Sequence, residues 1–219
     1  MVRDMHKIVI FDMDGTLINT SKGIFATANY TMRRLGYEDL PESQLRKFVG
    51  PPLPACFRIA CGLDEDLIES ACNIYREEYV KGNMYLGDIY PGIVEILNTL
   101  KEKGITLGVA TLKTEDMALA ILKEKGLFSY FDTVKGADMK ENLSKAQIIE
   151  KALQDLEISD YSSVLMVGDT PHDADGATSV GIDFVGVDWG FGFHKGHKIE
   201  AAPHILGTID EAHQLLAYL

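Results

Sequence analysis

The chain carries two hydrophobic patterns, and from about Ile89 onward they alternate. Short apolar runs typical of buried strands cover residues 105–110, 133–136, 164–167 and 182–187, and another covers residues 8–11. Between the later runs, apolar residues recur at the spacing of a helix face. This alternation predicts an α/β fold with a Rossmann-like parallel sheet flanked by helices.

Capping residues mark where several helices begin. Ser144 and Thr170 are predicted N-caps, and Pro171 takes the first helical position, where proline is tolerated. Thr208 and Glu211 have the spacing of a capping box. The last helix is therefore predicted to begin after Thr208.

Residues 20–87 differ from the rest because they contain several helical stretches and no convincing strand. One helical face carries Leu67, Ile68, Ala71, Ile74 and Tyr75. A Gly-Pro-Pro sequence at residues 50–52 divides the helices into two groups, since proline interrupts helical hydrogen bonding. We predict a core domain of residues 1–19 and 88–219, with residues 20–87 inserted after the first strand as a helical cap.

Composition limits the class of partner. The chain has 219 residues, of which 46% are hydrophobic, and a formal net charge of -12 at pH 7. The length and apolar content suffice for one large core with an inserted domain. The negative charge disfavours nucleic acids and acidic membrane faces as main partners.

The cysteines and the hydropathy pattern bear on location. Cys56, Cys61 and Cys72 are odd in number and confined to one region, so we expect reduced thiols in a reducing compartment. The sequence shows no apolar run of membrane-spanning length and no apolar signal stretch before the first strand. We therefore expect a cytoplasmic protein.

Two carboxylates follow the first predicted strand. Asp12 and Asp14 are separated by one residue and precede Gly15. Alternate residues of an extended chain share a side, so both carboxylates could approach one hard cation, although a turn at Gly15 would redirect the second. Taken alone, these residues fit an ordinary acidic turn equally well.

Polar residues also follow two other predicted strands. Thr111 comes after residues 105–110, and Asp169 comes shortly after residues 164–167. Open parallel sheets bind ligands beyond the carboxyl ends of their strands. Asp173 adds a carboxylate, although it also fits as an acidic residue in the first turn of a helix. Clustered carboxylates predict a cation, and Mg²⁺ suits oxygen ligands.

Lys145 stands in the first turn of the helix that Ser144 caps, where a positive charge opposes the helix macrodipole. A bound anion would reverse this penalty, because helix N-termini favour phosphate and a lysine adds a full charge. Lys145 is therefore the first candidate for a phosphate-binding lysine, and Lys140 and Lys113 compete with it. Without such a ligand it would be a solvated surface lysine.

The motifs resemble those of haloacid dehalogenase (HAD) superfamily phosphatases over nearly the whole chain. In order, they are Asp12-Met13-Asp14-Gly15-Thr16, Thr111, Lys145 and residues 168–173. The helical insert matches the cap that this superfamily places after the first strand. The resemblance implies a HAD-like core and hydrolysis of a small phosphorylated metabolite.

The resemblance also implies how the two leading carboxylates work. Asp12 would be the nucleophile that forms an aspartyl-phosphate, which water then hydrolyses. Asp14 would protonate the leaving group and later deprotonate the water. The presence of Asp14 argues against a true dehalogenase, which needs no acid there.

The remaining motif residues would bind ions. Mg²⁺ would be held by Asp12, by the main-chain carbonyl of Asp14 and by Asp169, with Asp173 behind them. The phosphoryl oxygens would be bound by Thr111 and Lys145, and Lys113 fits the usual pattern nearby.

The substrate is indicated by two further segments. Residues 49–53 and 186–192 are similar to those of phosphoglycolate phosphatases. Lys22, Arg46 or Arg58 could read a substrate carboxylate, although each also fits as a solvated helix residue. A 5'-nucleotidase, a sugar-phosphate phosphatase and a pyrophosphatase of the same superfamily are the alternatives.

A non-enzymatic phosphoacceptor or binding domain is the alternative from a different class. A phosphoacceptor would also use Mg²⁺ and an aspartate at a strand end. It would have little use for a second carboxylate or for a cap that excludes water. We therefore expect an enzyme, as a monomer or a small homo-oligomer.

Overall fold

A computed structural model describes residues 6–138, 143–193, 196, 199 and 203–219. The chain divides into two compact units. The first, here called the α/β unit, comprises Met1–Ile18 and Ile89–Leu219, and the second, the helical unit, comprises Asn19–Asp88. The predicted insert, residues 20–87, is one residue shorter than the helical unit at each end.

The strands confirm the predicted fold class. They are β1 (Ile8–Phe11), β2 (Ile18–Asn19), β3 (Asp88–Ile89), β4 (Thr106–Thr114), β5 (Thr133–Ala137), β6 (Val164–Gly168), β7 (Asp183–Val187) and β8 (Ile205–Ile209). Six of them form one sheet in the order β5-β4-β1-β6-β7-β8, and β2 pairs with β3 in a second, two-stranded sheet. Every neighbouring pair of the large sheet is parallel.

The helices follow the predicted hydrophobic stripes. They are α1 (Ser21–Arg34), α2 (Glu42–Leu45), α3 (Leu53–Cys56), α4 (Glu65–Tyr79), α5 (Ile93–Glu102), α6 (Glu115–Glu124), α7 (Lys145–Asp155) and α8 (Pro171–Val180). Shorter helical segments cover Arg46–Phe48, Phe57–Cys61, Asn83–Tyr85, Phe128–Tyr130, Tyr161–Ser163 and Ala212–Tyr218. None of the helices in the described ranges combines the length and the apolar character needed to cross a membrane.

The register of the central strands brings their carboxyl ends to one edge of the sheet. β1 and β6 are buried along their whole length, as expected for strands covered on both faces. Phe11, the last residue of β1, lies opposite Val109 on one side and Val167 on the other. The residues that follow β1 and β6 are therefore neighbours.

Two predictions about the ends of elements are wrong. β4 continues to Thr114, so Thr111 lies inside it, and the register with β5 shifts between Ala110 and Thr114. Thr208 belongs to β8, where it pairs with Gly186, and does not cap a helix. Glu211 takes the capping role, because its side chain and that of Gln214 form the capping box of Ala212–Tyr218.

The helical unit has an aromatic interior. Phe48 and Phe57 meet edge to face with ring centroids 5.1 Å apart, and Tyr75 and Tyr79 stack at 5.5 Å. These side chains are all buried. The cysteines of this unit are free thiols, as predicted.

The basic residues that could read a substrate carboxylate are exposed and paired within the helical unit. Arg58 binds the carboxylate of Glu65 through two nitrogens. Arg46 lies 3.7 Å from a carboxylate oxygen of Glu42, and Lys22 lies 3.9 Å from one of Asp88. Their exposure fits the interpretation as solvated helix residues.

Candidate active site

Three carboxylates converge where β1 and β6 end. Asp12 continues β1 by donating its backbone N–H to the carbonyl of Val167 over 2.8 Å. Asp169 follows β6, and Asp173 lies in the first turn of α8. All three side chains are buried, and each offers an oxygen within 4.8 Å of the others. The carboxylate cluster, as we call these residues, forms at the predicted edge.

Lys145 supplies the positive charge inside this cluster. Its Nζ lies 2.5 Å from Oδ1 of Asp12 and 2.6 Å from Oδ1 of Asp173. Ser144 caps α7 with a full capping box, so the lysine occupies the first helical position, as predicted. A Cβ at Gly176 of α8 would lie 2.8 Å from Cγ of Lys145, so this glycine leaves room for the lysine chain. Lys140, its competitor, lies outside the described residues.

Burial and neighbouring charges shift the ionisation of these groups. Burial raises the pKa of Asp12 well above its usual range, and Lys145 opposes this only in part. Burial also raises the pKa of Asp169 to about 7, with Asp173 adding to the effect. Burial alone would lower the pKa of Lys145, but attraction to Asp12 and Asp173 outweighs it and raises that pKa.

The residues present fit a hard divalent cation. Three buried carboxylates share one ammonium group, so ionisation of all three leaves an excess of negative charge. Burial is the main cause of the raised pKa values of Asp12 and Asp169, and the neighbouring carboxylates raise them further. Oxygen ligands at this spacing suit Mg²⁺, which commonly takes one or two carboxylates.

The glycine-rich loop after β7 contacts the Asp169 carboxylate, a contact that the sequence did not predict. Its Oδ2 accepts a 2.7 Å hydrogen bond from the backbone N–H of Phe191, and its Oδ1 accepts a 3.4 Å bond from the Thr16 hydroxyl. A Cβ at Gly15 or at Gly190 would lie 2.3 Å from Oδ2. The glycines on both sides of Phe191 were the only signal of this close approach.

Asp173 serves the helix and the cluster at once. Its Oδ2 accepts hydrogen bonds from the backbone N–H of Thr170 at 3.0 Å and from the Thr170 hydroxyl at 2.7 Å. Its Oδ1 is then directed to Lys145. A Cβ at Gly168 would lie 2.4 Å from Cβ of Asp173, so that glycine permits the approach. Asp173 therefore caps α8 and at the same time lies in the carboxylate cluster.

Asp14 lies beside a second lysine. Its Oδ2 is 3.4 Å from Nζ of Lys113, and both side chains are about one-tenth exposed. Its Oδ1 is buried and has no hydrogen-bond partner among the described residues. Asp14 therefore keeps one carboxylate oxygen available.

Thr111 lies near Lys113 in the sequence and contacts its backbone. Thr111 is buried, and its hydroxyl accepts a 3.2 Å bond from the backbone N–H of Lys113.

Comparison with known proteins identifies the family. The family model of haloacid dehalogenase-like hydrolases matches residues 9–187. The chain is 31% identical to a 5'-nucleotidase of Pseudomonas aeruginosa, covering 95% of this chain and 94% of that protein. It is 36% identical to the tyrosine-protein kinase PtkA of Mycobacterium tuberculosis, covering 96% of this chain and 72% of PtkA.

Further relatives carry phosphatase and hydrolase names. A phosphoglycolate phosphatase of Vibrio parahaemolyticus is 28% identical over 92% of this chain and 91% of its own length. The solved structure of a haloacid dehalogenase-like family hydrolase of Streptococcus pneumoniae superposes with a TM-score of 0.88 at 30% identity, covering 97% of this chain and 98% of that one. With its six-stranded parallel sheet and its motif order, the chain belongs to the haloacid dehalogenase-like hydrolase family and is a phosphatase.

Proposed function

We propose that this phosphatase hydrolyses a small phosphomonoester in a Mg²⁺-dependent reaction in which Asp12 takes up the phosphoryl group. The observation that carries the proposal is the carboxylate cluster with a single buried lysine between Asp12 and Asp173. The Asp12 carboxylate is buried and contacts the ammonium group of Lys145, which favours its ionised, nucleophilic form. The backbone bond to Val167 positions the main chain of Asp12 at the end of β1.

We propose that Lys145 pairs with the ionised carboxylate of Asp12 and also binds a phosphoryl oxygen. An anionic nucleophile approaches an anionic phosphoryl group only if nearby positive charge offsets the repulsion. The raised pKa of Lys145 keeps its ammonium group charged at neutral pH. Thr111, buried in β4, is proposed to donate its hydroxyl to another phosphoryl oxygen.

We propose that Mg²⁺ binds the side chains of Asp12 and Asp169 and the main-chain carbonyl of Asp14. Asp173 would lie next to these ligands. When bound, the ion would offset the negative charge of the cluster and of the phosphoryl group. Asp169 is prepared for this role by its bonds from Phe191 and Thr16, which fix both of its oxygens.

Asp14 is proposed as the general acid and base. It would give a proton to the leaving alkoxide oxygen and take one from the water that attacks the aspartyl-phosphate. Its buried Oδ1 has no hydrogen-bond partner in the described part of the chain, so this oxygen is available to a ligand. Lys113 contacts the other oxygen, which supports a role in orienting Asp14 rather than in binding phosphate directly.

The test is hydrolysis of p-nitrophenyl phosphate with and without Mg²⁺. The parent protein should turn over with Mg²⁺ and lose turnover when the metal is chelated. Asp12→Asn keeps the shape of the side chain but removes the nucleophile, and its turnover should fall by about 10⁴-fold or more. Absence of turnover in the Mg²⁺-loaded parent protein would refute the proposal.

Among substrates we propose 2-phosphoglycolate or a similar small phosphate ester. Segments 49–53 and 186–192 resemble phosphoglycolate phosphatases, and a relative of that name covers most of the chain. The 5'-nucleotidase of P. aeruginosa supports nucleoside monophosphates as the alternative. Values of kcat/KM for phosphoglycolate, nucleoside monophosphates, sugar phosphates and pyrophosphate should rank phosphoglycolate first. A flat profile, or a preference for nucleotides, would reject this assignment.

A further inference from the structure

We propose that the α/β unit carries a second binding site, separate from the carboxylate cluster, for a small organic cation with an apolar body. The site is a cavity of about 460 Å³ lined by residues from the start of α5, from the loop after β7 and from Ala212–Tyr218. Small-molecule sites have volumes of roughly 300–1,000 Å³. None of the described residues of the carboxylate cluster lines it.

Aromatic and aliphatic side chains form the apolar part of the cavity. The rings of Tyr90 and Trp189 have centroids 6.3 Å apart and planes tilted by 50°. Ile96 and Leu216 also line the cavity, and Leu216 is 37% exposed. A ligand with an apolar body would bury this surface, and the electron-rich faces of the two rings attract a positive charge.

Three carboxylates and the ring of His213 line the cavity. Glu95, Asp210 and Glu211 line it, and the described lining residues include no Lys or Arg. Glu211 lies 3.1 Å from the ring of His213 and also caps a helix, so part of its charge is already engaged. Glu95 and Asp210 are exposed, and no ion pair of either occurs within the described ranges. These carboxylates would attract a cation and repel a phosphate ester.

The loop that lines the cavity through Trp189 also contacts the carboxylate cluster. The Trp189 indole donates a 3.1 Å hydrogen bond to the carbonyl of Thr16, and Phe191, two residues further on, holds Asp169. The repulsion of phosphate sets the cavity apart from the substrate site. Binding there can therefore be measured without turnover.

Fluorescence gives a direct test because Trp189 is the only tryptophan of the chain. The full-length protein would be titrated with 2-phenylethylammonium, with neutral 2-phenylethanol and with anionic 3-phenylpropionate. We expect a saturable change in emission with the cation. The alcohol should bind at least about fivefold more weakly than the cation, and the anion should not bind.

Variants separate the local carboxylates from the net charge. Glu95→Gln/Asp210→Asn should weaken binding of the ammonium probe on the order of tenfold. Glu102→Gln/Asp116→Asn removes the same two charges from exposed positions in the same unit and should leave the affinity unchanged. The proposal is overturned if the ammonium probe gives no saturable change, if all three probes bind equally, or if both double variants weaken binding alike.

Discussion

Two ion pairs in this protein have the same length and opposite surroundings. Nζ of Lys145 lies 2.5 Å from the carboxylate of Asp12 in the α/β unit, and Arg33 lies 2.5 Å from that of Asp39 in the helical unit. The side chains of the first pair are 4% and 9% exposed, and those of the second are 54% and 53% exposed. Distance alone therefore does not distinguish them.

The difference shows where the fold accepts an electrostatic cost. The surface pair is balanced and solvated, so water would stabilise each partner without the other. The buried lysine instead faces two further carboxylates in the same pocket, and burial penalises each charge. Strongly shifted pKa values of this kind cluster at functional sites, which supports the carboxylate cluster as the candidate active site.

Replacing the basic residue of each pair should separate the two pairs most strongly. Lys145→Met leaves buried carboxylates without their cation, so we expect a loss of about 3–5 kcal/mol in the free energy of unfolding of the metal-free protein. Turnover with Mg²⁺ should fall on the order of 10²–10³-fold. Arg33→Met should change stability by less than about 1 kcal/mol and leave turnover intact. Urea unfolding in chelator and p-nitrophenyl phosphate hydrolysis measure both effects, and equal losses in the two variants would remove the distinction.

A glycine substitution tests whether the loop around Asp169 is part of the buried site. Gly190→Ala places a Cβ 2.3 Å from Oδ2 of Asp169 and should displace that carboxylate. We expect Mg²⁺ affinity or turnover to fall by about 10–100-fold. Gly181→Ala is the control, because it has φ of 82° but nothing within 4 Å of the added Cβ.

The two glycine variants should therefore fail in different ways. Gly181→Ala should lower stability by roughly 1 kcal/mol through backbone strain and keep its Mg²⁺ dependence. A titration of turnover against Mg²⁺ concentration compares them. An unchanged Mg²⁺ requirement in Gly190→Ala would show that the loop does not position Asp169.

The stabilisation of the folded protein by Mg²⁺ should depend on pH. We expect this effect to be smaller than those of the substitutions above but specific to the buried site. The folded pKa of Asp169 is raised to about 7, above its usual value of 3.8, so its stabilising contribution is full below about pH 4 and is lost as pH rises through 7. Mg²⁺ binds the ionised carboxylate, so it should raise Tm more at pH 8 than at pH 5. Thermal unfolding with Mg²⁺ and with chelator measures the rise in Tm at each pH. In Asp169→Asn this rise should depend less on pH. A metal effect independent of pH would argue against a carboxylate site.

Much of the fold follows from local sequence patterns. The apolar runs and helical stripes predicted the parallel sheet, because its central strands β1 and β6 are buried along their whole length. Ser144 and Thr170 cap helices as predicted, since capping depends on residues only three positions apart. The carboxylate cluster followed from one rule, that polar residues at neighbouring strand ends meet.

The errors concern features set by distant parts of the chain. Thr208 has good capping spacing, but pairing of its segment with β7 places it in a strand. β4 runs past Ala110, and after a register shift Thr114 pairs with Ala137 of β5. The contact of Phe191 with Asp169 joins residues 22 positions apart in a glycine-rich loop. Such contacts depend on tertiary packing, which no local pattern encodes.

The central claim, that Asp12 takes up the phosphoryl group, can be tested by trapping. Borohydride reduces an aspartyl-phosphate to homoserine, so the protein would be quenched with borohydride during Mg²⁺-dependent turnover of p-nitrophenyl phosphate and its peptides analysed by mass spectrometry. We expect homoserine at position 12 and not at position 14, and none when substrate is omitted. Homoserine at position 14, or sustained turnover with position 12 unmodified, would contradict it.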